Sequence, residues 1–504
     1  MPSIILATLN ARYAHSSLGL RYLYANLNDG LRAQAVIREF IITSRPSDIA
    51  EQLLRENPRI IGLGVYIWNV AQTTQLVALL KRIAPEVVIV LGGPEVSHEI
   101  EEQPIAQLAD FVLPGQADLS FNQLCERITR HDPPRDKILA SPPPRLADLR
   151  LPYRYYSDQD IAHRVLYVEA SRGCPFKCEF CLSALDKTAV PFDLEAFLAE
   201  MDALYRRGAR QFKFVDRTFN LKIEASVRIM EFFLARLDET LFLHFEVIPD
   251  HLPERLKEVI KRFPEGSLQF EIGVQSFTPE VQALISRKQD NAKTEANLRW
   301  LRQESHAHLH TDLILGLPGE SLEQIAAGFD RLVALDPHEI QVGILKRLRG
   351  APIARHTQAF GIRYNPHPPY DILCSDLLDF PTLQRLNRFA RYWDMIGNSG
   401  RFRAALPLIL GTRPFANFLR LSDRLHEACG QTHKIALDRL FQMLHAALPP
   451  LFDIDPAQVE AALLEDHGRS GLKGPPGFFR AGPEASPAPP AKTRTPARQA
   501  RHRA

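Results

Sequence analysis

Long hydrophobic runs are missing from this chain of 504 residues. None approaches the ~20 apolar residues that a membrane-spanning helix requires, so a soluble, cytoplasmic protein with no membrane partner is expected. No secretory leader pattern opens the sequence, which starts directly on the strand-like stretch Met1-Pro2-Ser3-Ile4-Ile5-Leu6. Its thiols are therefore expected to stay reduced. Neither a Gly-x-Gly-x-x-Gly fingerprint nor a Walker pattern occurs, which argues against a nicotinamide or nucleotide site. A surplus of one charge sign is missing too, since 61 Lys and Arg face 59 Asp and Glu for a net of +2. Even that excess is local: residues 467–504 hold eight Lys or Arg against Glu484 alone, and the rest of the chain nets about −5. The body offers no basic field for nucleic acid, which is not expected as a partner. The same tail holds seven prolines among Gly, Ala and Ser. Such a composition cannot bury enough apolar surface to offset its ordering entropy, and a disordered basic tail is expected.

Cysteine is scarce, six in all, yet three of the six fall within eight residues. Cys174, Cys178 and Cys181 lie in Ser171-Arg-Gly-Cys-Pro-Phe-Lys-Cys-Glu-Phe-Cys-Leu, directly after the strand-like segment Val165 to Ala170. Three thiolates on one tight loop can each hold an iron of a cuboidal four-iron cluster, leaving the fourth iron open to another ligand. A structural zinc site would need four ligands, commonly from two Cys or His pairs, and no second pair lies near this loop. Cys374 and Cys429 stand alone and read as small buried hydrophobes.

The spacing of these cysteines, with Phe180 just before the last, resembles the radical S-adenosylmethionine (SAM) superfamily. The resemblance implies a 4Fe-4S cluster on Cys174, Cys178 and Cys181, SAM chelated by the open iron, and Phe180 beside its adenine.

Over the first 130 residues, short Val/Ile/Leu runs alternate with amphipathic stretches. Strands are expected at Ile4 to Leu9, Ala35 to Ile42, Ile60 to Tyr66, Val87 to Leu91 and Phe111 to Leu113, with helices such as Ser47 to Glu56 and Ala71 to Ile83. Runs of this kind between helices predict a doubly wound parallel sheet, which binds ligands at the carboxyl ends of its strands. The segment is similar to the cobalamin-binding domain that precedes some radical SAM domains, on the loop Gly92-Gly-Pro-Glu-Val-Ser97, the Gly115 loop and the domain order. That implies cobalamin contacts from Tyr66, Trp68, Asn69, Gly92, Gly93, Ser97 and Gly115. His15 lies in the loop where many cobalamin domains carry an Asp-x-His-x-x-Gly ligand motif, but Tyr13 replaces the Asp and Leu18 the Gly. No protein nitrogen on cobalt is expected.

Asp-Pro-Pro-Arg and Ser-Pro-Pro-Pro-Arg then mark a stiff connection that is expected to stay out of any sheet. From Val165 the alternation resumes, with strands at Phe212 to Val215, Leu241 to Ile248, Leu268 to Val274, Leu309 to Leu315 and Ile340 to Leu345. The helix Leu194 to Tyr205 between the first two has apolar residues at i, i+3, i+4 and i+7. Six such units fit a partial (β/α)6 barrel of TIM type, with function at the carboxyl ends of its strands. The resemblance implies SAM contacts from Asp216, from Glu271 and Gln275 in Phe-Glu-Ile-Gly-Val-Gln-Ser, from Arg287, and from Ile314 and Gly316 in Asp-Leu-Ile-Leu-Gly-Leu-Pro-Gly-Glu. Past residue 376 only helical patterns remain, which resembles a carboxyl-terminal helical domain found on some cobalamin-type relatives. The expected organisation is 1–135 cobalamin domain, 136–163 linker, 164–375 radical SAM core, 376–466 helical domain and 467–504 tail.

The function expected from this resemblance is reductive cleavage of SAM to a 5′-deoxyadenosyl radical, used to methylate an unactivated carbon of a small molecule. Radical cyclisation or rearrangement is the alternative within that class, and an iron–sulfur sensor or electron carrier the alternative outside it. One 4Fe-4S cluster, SAM and cobalamin are the implied cofactors, and a flavodoxin or ferredoxin the implied electron donor.

Overall fold

The computed structural model describes residues 3–474, 477 and 501. The tail expected to be disordered therefore lies, apart from 467–474, 477 and 501, outside the described residues. The chain divides into two compact units: residues 1–217 with 346–354 and 365–371, and residues 218–345 with 355–364 and 372–504.

In the first unit, β1 (Ile4–Asn10), β2 (Ala35–Ile41), β3 (Ile60–Gly64), β4 (Val88–Gly92) and β5 (Phe111–Leu113) form one sheet in the order β2-β1-β3-β4-β5. All of its pairs are parallel. β1 is buried along its whole length, as a central parallel strand covered on both faces must be. Its side chains divide by the two-residue period: Ile5, Ala7 and Leu9 enter one core, Ile4 and Leu6 the other. Each fully buried Ile or Leu contributes about 1.5–3 kcal/mol. The cores are closed by α1 (Leu18–Ala25), α2 (Pro46–Leu54), α3 (Val70–Ile83) and α4 (Ser120–Thr129). Strand order reverses direction between β1 and β3, and a crevice opens there at the carboxyl ends.

The proline-rich connection does join the sheet, contrary to expectation. Val112 bridges to Ile138 and Gly115 to Ser141, with Val112 N donating to Lys137 O and Leu139 N to Val112 O, both at 2.9 Å. Its consecutive prolines fall at 133–134 and 142–144, so the stretch between keeps its N–H donors and can line the edge of β5. Beyond it β6 (Leu166–Val168) pairs in parallel with β7 (Gln211–Phe214), and α5 (Leu194–Arg206) buries Phe197, Leu198, Met201 and Leu204 between them in sequence.

The second unit contains four adjacent parallel strands, β8 (Phe242–Val247), β9 (Leu268–Gln275), β10 (His308–Leu315) and β11 (Glu339–Ile344). These are four of the strands that the alternation requires. Among the helices between them, α6 (Ile223–Leu234) precedes β8, α7 (Glu254–Ile260) and α8 (Asn291–Glu304) follow in turn, and α9 (Leu322–Ala334) begins with a Ser321/Gln324 capping box.

The carboxyl-terminal helices are α10 (Phe380–Met395), α11 (Ala405–Leu410), α12 (Pro414–Cys429), α13 (Leu437–Phe452) and α14 (Pro456–Arg469). Phe329 of α9 packs edge-on against Phe389, Trp393 and Phe415. Trp393 Nε1 and Asn398 Nδ2 donate to Ile340 O at 2.9 and 2.8 Å, and Ile340 N donates to Asn398 Oδ1 at 2.8 Å. These bonds occupy polar groups of β11 that an uncovered edge strand would leave open. Helix α14 runs through Arg469, past the expected start of the tail, because Asp466 and His467 are buried and Asp466 accepts from Ala404 N and Ala405 N.

Candidate functional site

The first unit encloses a cavity of about 430 Å³ at the carboxyl ends of its strands. Gly64, Gly92 and Gly115 bring backbone to its wall, Leu18, Leu113 and Phe121 supply apolar surface, and Tyr66 closes one side. A Cβ at Gly92 would meet only Leu113 O at 3.8 Å, so the space beside it is open. Gly93 differs: its φ is +107° and a Cβ would stand 2.5 Å from Val65 O, so glycine is required there by neighbouring backbone.

The opposite wall comes from the residues leading into and out of the cysteine loop: Glu169, Ser171, Arg172, Gly173, Ser183 and Asp186, with Arg217 beside them. The Arg172 guanidinium donates to Asp118 at 3.0 Å, Gln116 at 3.1 Å and Glu169 at 2.7 Å, and lies 4.8 Å from the centre of the Tyr22 ring. Burial works against its charge, but Glu169 and Asp118 outweigh that and raise its pKa, as a buried cation requires. Local spacing does not single out Arg172, Glu169 and Asp118. Their signal was present in the charges set directly before Gly173-Cys174 and after the Gly115 loop.

Within the loop, Gly173 has φ +96° and a Cβ there would strike Thr188 O, a close approach that only glycine permits. Cys174 N donates to Asp186 O at 3.2 Å and Cys181 N to Cys178 O at 3.0 Å. Cys174 and Cys178 are buried and Cys181 half-buried. Burial pushes the Cys174 thiol up; nearby Cys181 and Cys178 push the same way, while Arg217 opposes them. Cys174 is thus within electrostatic reach of both other thiols, which fits three ligands of one cluster. Among the described residues no three His, Cys, Asp or Glu converge on one metal-ion position. A cuboidal cluster needs no such convergence, since each cysteine binds a different iron. Phe180 is half-buried in the turn between Cys178 and Cys181.

Several expected contacts turn out to be occupied elsewhere. Asn69 is fully buried; it accepts from Tyr66 N at 2.8 Å and donates to Leu9 O and Gly64 O, each at 3.1 Å. Its amide braces the ends of β1 and β3 and has nothing left for a ligand. Ser97 Oγ donates to Gly93 O at 2.8 Å and accepts from Gly115 N at 3.0 Å, clamping the two loops together. Trp68 stacks on Tyr66 with ring centres 4.4 Å apart and lies outside the cavity lining. Asp216 accepts from Ala170 N at 2.9 Å and from Ser171 N and Oγ at 2.6 Å each. Burial lifts its carboxyl to about 7, and its bonds anchor the approach to the cysteine loop. His15 Nδ1 lies 2.7 Å from the Tyr167 hydroxyl, and the residue is not part of the cavity lining.

In the second unit, Glu271, Gln275, Ile314 and Gly316 lie on adjacent strands or just past their ends. Glu271 Oε2 pairs with His244 Nε2 at 2.9 Å. Gln275 sits at a bulge with φ +69°, a conformation that is strained for a non-glycine residue and collects at functional sites. Arg287 donates to Gly273 O and, at 2.9 Å, to Gln289 Oε1. Gly316 has φ +86°, and Ile372 packs where its side chain would be. Glu320, on the same loop, is buried and accepts from Ser276 Oγ at 2.5 Å. Burial pushes its carboxyl up to about 7.

Comparison with known proteins follows these features along the chain. The radical SAM superfamily model matches residues 168–332, the B12 binding domain residues 4–124, and a protein family of unknown function, DUF4080, residues 358–465. The cobalamin-dependent radical SAM methyltransferase TokK of Streptomyces tokunonensis is 24% identical over 70% of this chain and 56% of its own length. The 2-(S-pantetheinyl)-carbapenam-3-carboxylate methyltransferase of Streptantibioticus cattleyicolor is also 24% identical, over 62% of this chain and 51% of its own. The chain thus spans about half the length of these relatives. The structure of the radical SAM methyltransferase TsrM from Kitasatospora setae superposes with a TM-score of 0.58 at 16% identity, covering 75% of this chain and 79% of that one, so the two share a fold. With a sheet-end cavity, a cysteine loop and the strand–helix units behind it in the order that these families follow, the chain is similar to the radical SAM proteins that carry a B12-binding domain.

Proposed function

We propose that this chain is an enzyme that cleaves SAM reductively and methylates an unactivated carbon of a small molecule with the help of cobalamin. The observation that carries the reading is the shared cavity: its one wall is the carboxyl end of a B12-type sheet, its other the flanks of the cysteine loop. In this reading residues 1–135 hold cobalamin, 164–375 the cluster and SAM, and 376–466 cover the edge of β11, in a reducing, cytoplasmic setting. When bound, the cluster would supply the electron that cleaves SAM and the cobalamin would carry the methyl group.

The residues of this chain hold and orient. Cys174, Cys178 and Cys181 would ligate the cluster, with Phe180 beside the adenine. Glu271, Gln275, Arg287, Ile314 and Gly316 would contact SAM. Tyr66, Gly92, Gly93 and Gly115 would receive the corrin, while Arg172, fixed by Asp118 and Glu169, would face it from the cysteine side. Methyltransferase names among the relatives support methyl transfer over ring closure. The electron donor would be a flavodoxin or ferredoxin.

The test is anaerobic reconstitution with iron, sulfide and hydroxocobalamin, followed by reduction in the presence of SAM carrying a trideuterated methyl group. Formation of 5′-deoxyadenosine and of deuterated methylcobalamin is expected. Absence of both from cluster-loaded protein would overturn the proposal, and 5′-deoxyadenosine without methyl transfer in a metabolite extract would turn it towards cyclisation.

A further inference from the structure

Residues 346–354 belong to the first unit although they follow β11 in sequence. One end of this segment touches the cysteine loop: Ile353 N donates to Glu179 O at 2.9 Å, and Glu179 lies between Cys178 and Phe180. Its other end grips the loop after β4. Arg347 forks onto Glu99 at 2.7 and 3.1 Å, Arg349 Nη1 reaches Glu99 at 3.0 Å, and Gly350 N donates to Glu99 at 3.4 Å. Arg349 Nε and the Tyr370 hydroxyl hold Glu95 at 3.2 and 2.6 Å. We propose that residues 346–354 form a strap that sets the spacing between the cysteine loop and the cobalamin-side loop, with Glu95 and Glu99 as its positioning residues. The inference rests on the cobalamin reading above.

Two backbone features show that the contact is built in. Glu99 sits in the left-handed region at φ +50°, where Gly or Asn would fit at lower cost. A glutamate kept there is explained by its carboxylate, which gathers four donors from the strap. Gly350 has φ +80°, and a Cβ on it would run into the His98 ring, so strap and loop meet at glycine distance. Glu95 is itself buried and needs its two partners for that reason.

The grip passes on to the cavity. Ser97, between Glu95 and Glu99, holds Gly93 O and Gly115 N, and both glycines line the cavity. A continuous path of hydrogen bonds and covalent chain thus runs from the cysteine loop through Ile353, Arg349 and Glu99 to the cavity wall. Isolated half-exposed ion pairs contribute little to stability, whereas a bidentate network fixes geometry. Geometry matters here because an error of 1 Å between reacting groups costs on the order of 100-fold in rate.

The experiment uses the full chain. Hydrogen exchange is followed at 92–99 and at 174–181 in cofactor-free protein, and pulsed electron spin resonance measures the separation of cob(II)alamin from the reduced cluster in loaded protein. Glu99→Gln is expected to speed exchange at both loops about tenfold, the loss of a charge-assisted hydrogen bond, and to broaden the separation while iron and cobalamin contents stay unchanged. Arg347→Lys, which keeps charge but loses the fork, should fall between it and the parent; it also carries the test if Glu99→Gln does not fold. Faster exchange confined to 92–99, or an unchanged separation, would overturn the strap. Should the parent chain take up no cobalamin, the cobalamin reading falls while exchange at the two loops still decides whether they are coupled.

Discussion

β1 and β10 are both inner strands of parallel sheets, yet they bury opposite kinds of surface. β1 puts Ile4 and Leu6 on one side and Ile5, Ala7 and Leu9 on the other, all buried. β10 buries Leu309, Thr311, Leu313 and Leu315 on one face but presents His308, His310, Asp312 and Ile314 on the other. The neighbours on that face are of the same kind, since His310 is in register with Glu271 and Glu339. His308 lies 3.2 Å from Glu339, and His244 2.9 Å from Glu271. Covered ionisable groups are costly unless paired. The first sheet therefore keeps its chemistry in loops at its ends, whereas the second carries it along one whole face as well.

The sharpest way to break this contrast is at the loops of the first unit. Cys178→Ala should abolish cluster assembly and 5′-deoxyadenosine formation completely, with circular dichroism unchanged, since the loop would keep only Cys174 and Cys181 for three irons that each need a thiolate. An intact cluster, read by iron content and visible absorption, would contradict the ligand assignment.

Two adjacent glycines come next. Gly92→Leu extends into open space and should weaken cobalamin binding about 100-fold or more, as measured by equilibrium titration, at little cost in stability. Gly93→Ala instead forces a side chain against Val65 backbone at positive φ, and should cost about 1–3 kcal/mol of stability in denaturant titration. Equal effects of the two on binding and on stability would erase the distinction.

The difference between the sheets also governs what could be seen in the sequence. Strands such as Phe111–Leu113 and Ile4–Asn10 stand out because burial on both faces demands apolar residues at most positions, and their observed limits fall within a residue of those expected. α11 was not visible, because Ala405-Leu-Pro-Leu-Ile-Leu carries a proline that reads as a break. At the site, the cysteine loop was legible from local spacing alone. The ties of Glu95 and Glu99 to Arg347 and Tyr370 span 248 to 275 residues, and no local period marks an ion pair over that range. For Asn69, Ser97 and Asp216 the sequence places a polar residue at a strand end without showing which way its hydrogen bonds run, and the structure shows each bonded to protein.

A smaller effect tests the second unit. Glutamate in the unfolded chain ionises near 4.5, whereas buried Glu320 holds its proton to about 7. Between those values the folded state binds the extra proton, so stability falls as pH rises, by about 3 kcal/mol in all at pH 8. Glu320→Gln keeps an acceptor for Ser276 and removes the titration. It should unfold at higher denaturant than the parent at pH 8 and at nearly the same concentration at pH 4; identical curves at both would rule out the buried carboxyl as the source.

The smallest effect is expected at His15, the residue that would link the first sheet to cobalt if any histidine did. Its Nδ1 is engaged by the Tyr167 hydroxyl, its ring is outside the cavity lining, and Tyr13 stands in place of the acid that would orient and polarise a ligating imidazole. His15→Ala should leave the cob(II)alamin electron spin resonance spectrum unchanged and cost about 1 kcal/mol of stability for the lost hydrogen bond. Burial lowers the His15 pKa below 6.5, with Lys213 and Arg12 adding to it. The neutral folded ring therefore contributes stability above pH 6.5 that is lost as the unfolded chain takes up its proton at lower pH. The substitution should flatten the acid limb of the stability profile below pH 6.5 and do nothing at cobalt. Nitrogen hyperfine splitting that disappears in His15→Ala would reverse that assignment and make the first sheet a source of cobalt coordination as well as of shape.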